Sequence, residues 1–524
     1  MKWDVPALLT ASEAKFVARL GRKAKFYVFL REIRAQLFDD TFQRELQSAY
    51  GVARGTRPLP PAMLAMVTLL QAYEQASDFD AVEEAALDPR WQLVLGCLGA
   101  EDAPFSQGVL SQFRARMAAH DLDKKLLART VRLAKDTGKF GWQHLKFALD
   151  SSPLLGAGRV EDTWNLLARA LSTVVDCAAK ALKRPRETIL KEAKLTLLSG
   201  TSLKAMLDID WDDEKQKTEA LKRLLGEVAA LESWVQTNAK EAADGPPLKE
   251  ALAGLRRVLE QDTEPDPGGG GRRIRDGVAK DRMPSLGDRE MRHGRKSKSK
   301  LFNGYKRHVA TLAGSGLILG ASVKPANQPE HEAMPLLMDE AQKHGNAEVA
   351  LIDRGFLASE RVEELRNQGK KVLCKPWPSR NNGRFTKEDF NIDLARHRVT
   401  CPAERTADIS PKSNLAHFAA STCDACPKRT ACTAARKGRG RSVTIHPQEE
   451  LLLELRAFRK TSEGRKALRE RVHVEHVLAK LGAVQGNRAR YKGARRNELD
   501  VRRCAAIVNL QAISRARAEP RRAA

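Results

Sequence analysis

AEVALIDRGFLASERVEELRNQGKKVLCKP, residues 347–376, decides the fold class. The apolar run VALI ends in Asp353 and reads as a strand; SERVEELRNQGK has helical spacing; KKVLCKP is a second short apolar run. Upstream, QPEHEAMPLLMDEAQKHG reads as another helix, and KRHVATLAG with GLILGASVKP as a hairpin turning at Gly314, Ser315 and Gly316. Earlier still, HLKFALDSSPLLG reads as a strand whose C-terminal end presents Asp150. A strand, a hairpin, then helix, strand, helix and strand predict a mixed sheet with helices on its faces: a multidomain α/β chain.

Around this core, occupying 140–160 and 290–377, the texture changes repeatedly. Residues 1–135 read as an all-helical domain, with apolar spacing over Lys25–Gln47, Pro61 opening AMLAMVTLLQAYEQ, and Ser77 as a cap. In PFSQGVLSQFRARMAAH, Ser106 caps a helix with Val109, Leu110 and Phe113 on one face and Gln107, Ser111, Arg114 and Arg116 largely on others. Such a helix suits a helix-turn-helix reader of DNA; the alternative is a surface helix of an ordinary bundle. Residues 161–270 read as a helical insertion closing on the linker TEPDPGGGGRR, and 378–445 as a cysteine-rich insertion. Helices over 446–513 complete the core, and 514–524 form a basic tail.

Lys and Arg outnumber Asp and Glu by 91 to 66, a formal charge of +25 spread along the chain, which implies a polyanionic partner. No apolar run is long enough to span a bilayer, so a cytoplasmic chain without membrane contact is expected. The 8 cysteines are few for 524 residues and unevenly placed, as in a reducing compartment.

Cutting and joining DNA are attacks on phosphorus that two divalent ions about 4 Å apart can assist, and hard ions need oxygen ligands gathered from distant parts of a chain. Asp150 and Asp353 each follow a buried-looking strand, and neighbouring strands would bring them together. A lone Asp after a strand is more often a turn former; two in this topology favour a site.

The chain resembles the DDE transposases of bacterial insertion sequences, in particular the eleven-eighty-two group of the IS-five-like superfamily. The resemblance is carried by PFSQGVLSQFRARM, ALDSSPLLGAGRVEDTWNLL, HGRKSKSKLFNGYKRHV, ALIDRGF, CDACPKRTAC, RVHVEHVLAKLG and RARYKGARRN. It implies an RNase H-like catalytic core with Asp150, Asp353 and a third acid as ligands of two Mg²⁺ ions, for which Mn²⁺ can substitute. By position that acid is Glu475, with Arg471 one helical turn earlier on the same face. The tyrosine expected before this arginine is replaced by Leu468, and the lysine expected two turns after the glutamate by Gly482. Glu498 is therefore a competitor.

In HGRKSKSKLFNGYKRH, Arg295, Lys296, Lys298, Lys300, Lys306 and Arg307 suit phosphate contacts, against a reading as a solvated loop. Cys401, the C-x-x-C pair Cys423 and Cys426, and Cys432 could complete a structural zinc site. The expected activity is binding of an element's terminal inverted repeats in double-stranded DNA, followed by strand cleavage and transfer, by a homodimer or higher oligomer at the bacterial nucleoid. The rivals are a DNA-binding protein without catalysis and a plain RNase H-like nuclease.

Overall fold

Six strands build the central sheet: β1 (Lys146–Leu155), β2 (Arg292–Arg295), β3 (Leu301–Leu312), β4 (Leu317–Pro325), β5 (Val349–Ile352) and β6 (Lys371–Cys374). The structure is a computed structural model describing residues 1–4, 6–21, 24–51, 59–269, 271–297 and 299–518. β3 runs antiparallel to β1, and β2 and β4 share its other edge. β5 joins the free edge of β1 in parallel and β6 follows it in parallel. The hairpin turns at Gly314 and Gly316, both at positive φ, while parallel pairing needs crossovers, here the helices Met334–Gln342 and Glu360–Asn367.

Asp150 does not end its strand as the sequence suggested. β3 pairs with β1 from Phe147 to Leu155, whereas β5 pairs only with Lys146–Ala148. Asp150 is thus held inside the sheet on one edge and stands beyond its parallel neighbour on the other. Where β3 passes the end of β1, Gly304 (φ +148°) has the backbone of Leu154–Gly156 so near that a Cβ would lie 2.3 Å from it, so only glycine fits.

Helices of the first 135 residues share one continuous apolar core with the sheet. Pro61–Glu74 is buried on all sides through Ala72, which explains its nearly unbroken apolar sequence. The run Lys25–Gln47 is two helices rather than one, because Asp39 accepts the Phe42 N–H and starts a second at Asp40. Residues 163–262 pack helices around a core of their own, and the two ends of the segment that reads as an open linker pair with each other, Thr263–Pro265 running antiparallel to Arg272–Ile274. The cysteine-rich segment is a five-stranded antiparallel meander with a third small core.

The helix Ala494–Ala518 stitches these parts together. Asn509 donates to the Ile318 carbonyl and to Thr130 and accepts the Ile318 N–H, joining β4 to the Leu122–Asp136 helix. Buried Arg502 pairs with Asp123 at 3.1 Å and Glu340 at 2.9 Å. Removing one partner of such a buried network costs about 3–5 kcal/mol, because the remaining charges lose compensation. The predicted basic tail is helical through Ala518, and its last residues lie outside those described. Among the described residues no helix is long and apolar enough to cross a membrane.

Candidate active site

Strand alternation puts Lys146, Ala148 and Asp150 on one face of β1, and the helix Val472–Gln485 packs there. Two ion pairs fix its approach: Lys146 to Glu470 at 2.8 Å, and Arg471 Nη1 to Asp150 Oδ2 at 3.0 Å. The preceding helix ends at Arg469, and a new one begins after Arg471, which stands at its N-cap position. Its Nη2 donates to Glu475 Oε1 at 2.8 Å, one turn on, so a single guanidinium spans two of the three acids.

Asp353 follows β5, two strands' edges from β3 and next to β1. Burial pushes the Asp150 carboxyl up to about 6; Arg471 and the Ser151 N–H pull it down, while the negative charges of Asp353 and Glu475 push it further up. Asp353 and Glu475 therefore each lie within electrostatic reach of Asp150. They are the right kind of donor for a hard cation. As the side chains stand, however, no three His, Cys, Asp or Glu residues among those described are arranged to hold a metal ion, and Arg471 is bonded between two of the acids.

Glu498 lies elsewhere, 3.4 Å from Arg502 in the buried network of Asp123 and Glu340. Gly482, in place of the lysine, makes room for another cation: a Cβ there would lie 3.0 Å from the Arg307 guanidinium. Arg307 is buried, donating to Ser152 Oγ, Gln485 Oε1 and the Gly486 carbonyl.

That burial corrects part of the basic-run reading. Most of HGRKSKSKLFNGYKRH is strand: Arg307 is a buried tie and cannot reach a phosphate, and Lys306 donates to the Gln328 carbonyl. Arg295, Lys296 and Lys300 are exposed at the β2–β3 turn; Lys298 lies outside the described residues. Leu301, beside that turn, is eight residues along β3 from Val309, the partner of Asp150, so the turn stands roughly 26 Å from the acids rather than beside them.

In the Gln107–Ala119 helix, Ser106 caps and Leu110, Phe113 and Met117 are buried, while Ser111 is exposed. Arg114 is not free for a groove: it pairs with Asp78 at 2.5 Å, and it approaches the Tyr491 ring. Arg116 lies 4.6 Å over the Tyr50 ring, half-buried.

Cys401, Cys423, Cys426 and Cys432 line one small cavity beside Phe390 and Phe418, and burial raises the Cys432 thiol with the other three within electrostatic reach. They do not form a metal-holding group as they stand.

Three residues escaped the sequence reading. Glu330 accepts from Ser151 Oγ at 2.6 Å and crowds Gly355, two residues after Asp353. Arg354 lies 5.7 Å over the ring of Trp377, which is 41% exposed. Only the meeting of β1, β5 and the segment after β6 places them together; an exposed aromatic three residues after a strand was the one available hint.

Residues 278–510 match the family described as Transposase DDE domain, and residues 18–116 the one described as Transposase domain (DUF772). The chain belongs to the DDE transposases. Asp353 and Glu475 fall inside the first match, whereas Asp150 lies between the two and owes its place to the sheet alone. No curated protein and no solved structure matches the chain. A transposase acts on DNA, in keeping with the charge of +25.

Proposed function

We propose that this transposase, of the eleven-eighty-two group, binds the terminal inverted repeats of its insertion sequence and catalyses metal-dependent strand cleavage and strand transfer, with Asp150, Asp353 and Glu475 as the metal ligands. The observation that carries this is Arg471 bonded to both the buried Asp150 and Glu475, with Asp353 following β5, the strand paired in parallel with β1. Two Mg²⁺ ions, or Mn²⁺, would activate the attacking water or 3′-hydroxyl and steady the leaving oxygen.

The chain's own part is to present Asp150 and Asp353 from a rigid sheet and Glu475 from the helix packed on it, and to neutralise two of them through Arg471 until a cation replaces it. Arg295, Lys296 and Lys300 would grip phosphates away from the acids, and Ser111 would face DNA from its helix. Pairing of two ends would need a homodimer or larger assembly. For the cysteine lobe we retain a structural zinc, supported by four thiols sharing one cavity; it requires them to close in from where they stand.

The test is to incubate the purified chain with DNA carrying the element's flanks and Mg²⁺. Cleavage at the ends followed by joining is expected. Binding without any cleavage would favour the non-catalytic reading, and cleavage without joining the nuclease.

A further inference from the structure

A cleft of about 600 Å³ opens between the Gln107–Ala119 helix and the start of the Ala494–Ala518 helix, lined by Ser111, Arg114, Tyr491, Lys492, Arg495 and Arg496. Its cations divide into two kinds. Arg114 is neutralised by Asp78, and Arg495 by Asp121 at 3.1 Å and Asp123 at 2.6 Å. These two are wall. Lys492 and Arg496 are exposed and make no ion pair with any described residue. Arg488, four residues before Lys492, is likewise exposed and unpaired among the described residues.

The one acid on the lining, Glu290, is already engaged, accepting the Ala494 N–H at 3.0 Å, and Asp288 accepts the Gly493 N–H at 3.0 Å. The Gly493 and Ala494 N–H groups at the start of the long helix are thus satisfied from within the chain. The exposed cations available to an anion in this cleft are side chains, Lys492 and Arg496.

The cleft is also firmly placed. Leu155 at the end of β1 donates to the Asn487 carbonyl at 2.9 Å, and Ala489 donates back to Leu155. Gln75 donates to the Ala483 carbonyl, and Arg490 to that of Ala76. Five residues of extended strand separate Asp150 from Leu155, roughly 17 Å, or about five base-pair steps of duplex.

We infer that this cleft, tied to the end of β1, seats the phosphate backbone of duplex DNA, with Lys492 and Arg496 as the phosphate contacts. The inference rests on the transposase reading above. The two unpaired cations, set against one lining carboxylate that accepts the Ala494 N–H, and the backbone ties to β1 favour a polyanion held in a fixed place relative to the acids.

The test measures binding of the full chain to a labelled duplex carrying the element's end, and to a scrambled duplex, across salt concentrations. Lys492→Gln with Arg496→Gln should lower the slope of log affinity against log salt by about 2 for both duplexes, roughly 0.9 per lost contact. Lys492→Arg with Arg496→Lys should restore it, which a merely structural role for these exposed side chains would not require. A photoreactive group attached at Ser111→Cys should crosslink to the duplex. An unchanged slope in the glutamine variant, or no crosslink, overturns the cleft while leaving the transposase reading intact. A wild-type chain that binds no duplex at all overturns both.

Discussion

Arg471 reaches from the cap of its helix to Asp150 in the middle of β1, 3.0 Å from Nη1 to Oδ2, across more than three hundred residues of sequence. The pair compensates a carboxylate that burial would otherwise keep protonated, and it does so incompletely, since Asp150 still titrates at about 6. Because the unfolded carboxyl ionises near the ordinary value of about 3.9, the unfolded chain gives up this proton first as pH rises. Folding loses stability from there up to about pH 6, and the loss persists above it.

Asp150→Asn should therefore melt higher than wild type at pH 8, by at most about 3 kcal/mol and less because Arg471 keeps only Glu475, with little difference near pH 4. Thermal unfolding at the two pH values checks this. A variant that melts lower at pH 8 would show that Arg471 contributes more than burial costs.

Glu475→Gln and Asp353→Asn should each abolish cleavage of end DNA while leaving binding nearly intact, since each keeps the side chain's size and removes a metal-binding charge. Glu498→Gln should still cut, and should unfold at lower denaturant because Arg502 loses a partner. Gel assays and urea titration distinguish them; the opposite pattern would move the third ligand to Glu498.

Arg114→Ala should cost stability, about 1–3 kcal/mol, by leaving the half-buried Asp78 without its cation. Discrimination between end and scrambled DNA should change little. A large loss of discrimination in a chain of unchanged stability would return Arg114 to the role of a base reader.

Protein purified without added zinc should carry about one zinc per chain, lost when Cys423 and Cys426 become Ser, with the lobe of residues 378–445 then opening to proteolysis. Metal analysis and limited digestion read this directly. A metal-free chain with a protease-resistant lobe would falsify the zinc assignment.

What the sequence determined by itself is what local physics encodes. The VALI and KVLC runs, the caps Ser77 and Ser106, and Pro61 at a first turn act within a few residues, so their strands and helices were legible. The net charge and the two aspartates after apolar runs pointed to chemistry on DNA. Only the tertiary structure decided which cations are available. Arg114 and Arg307 read as cations free for DNA, yet each is held by a group dozens to hundreds of residues away, at Asp78 and Ser152, and Arg502 is likewise tied to Asp123. Strand length was decided the same way: β1 runs past Asp150 because β3, more than a hundred residues later, supplies the hydrogen bonds. Pairing across the sheet satisfies backbone groups that the strand's own sequence cannot, and the partner of a buried charge is chosen by packing, which no local pattern records.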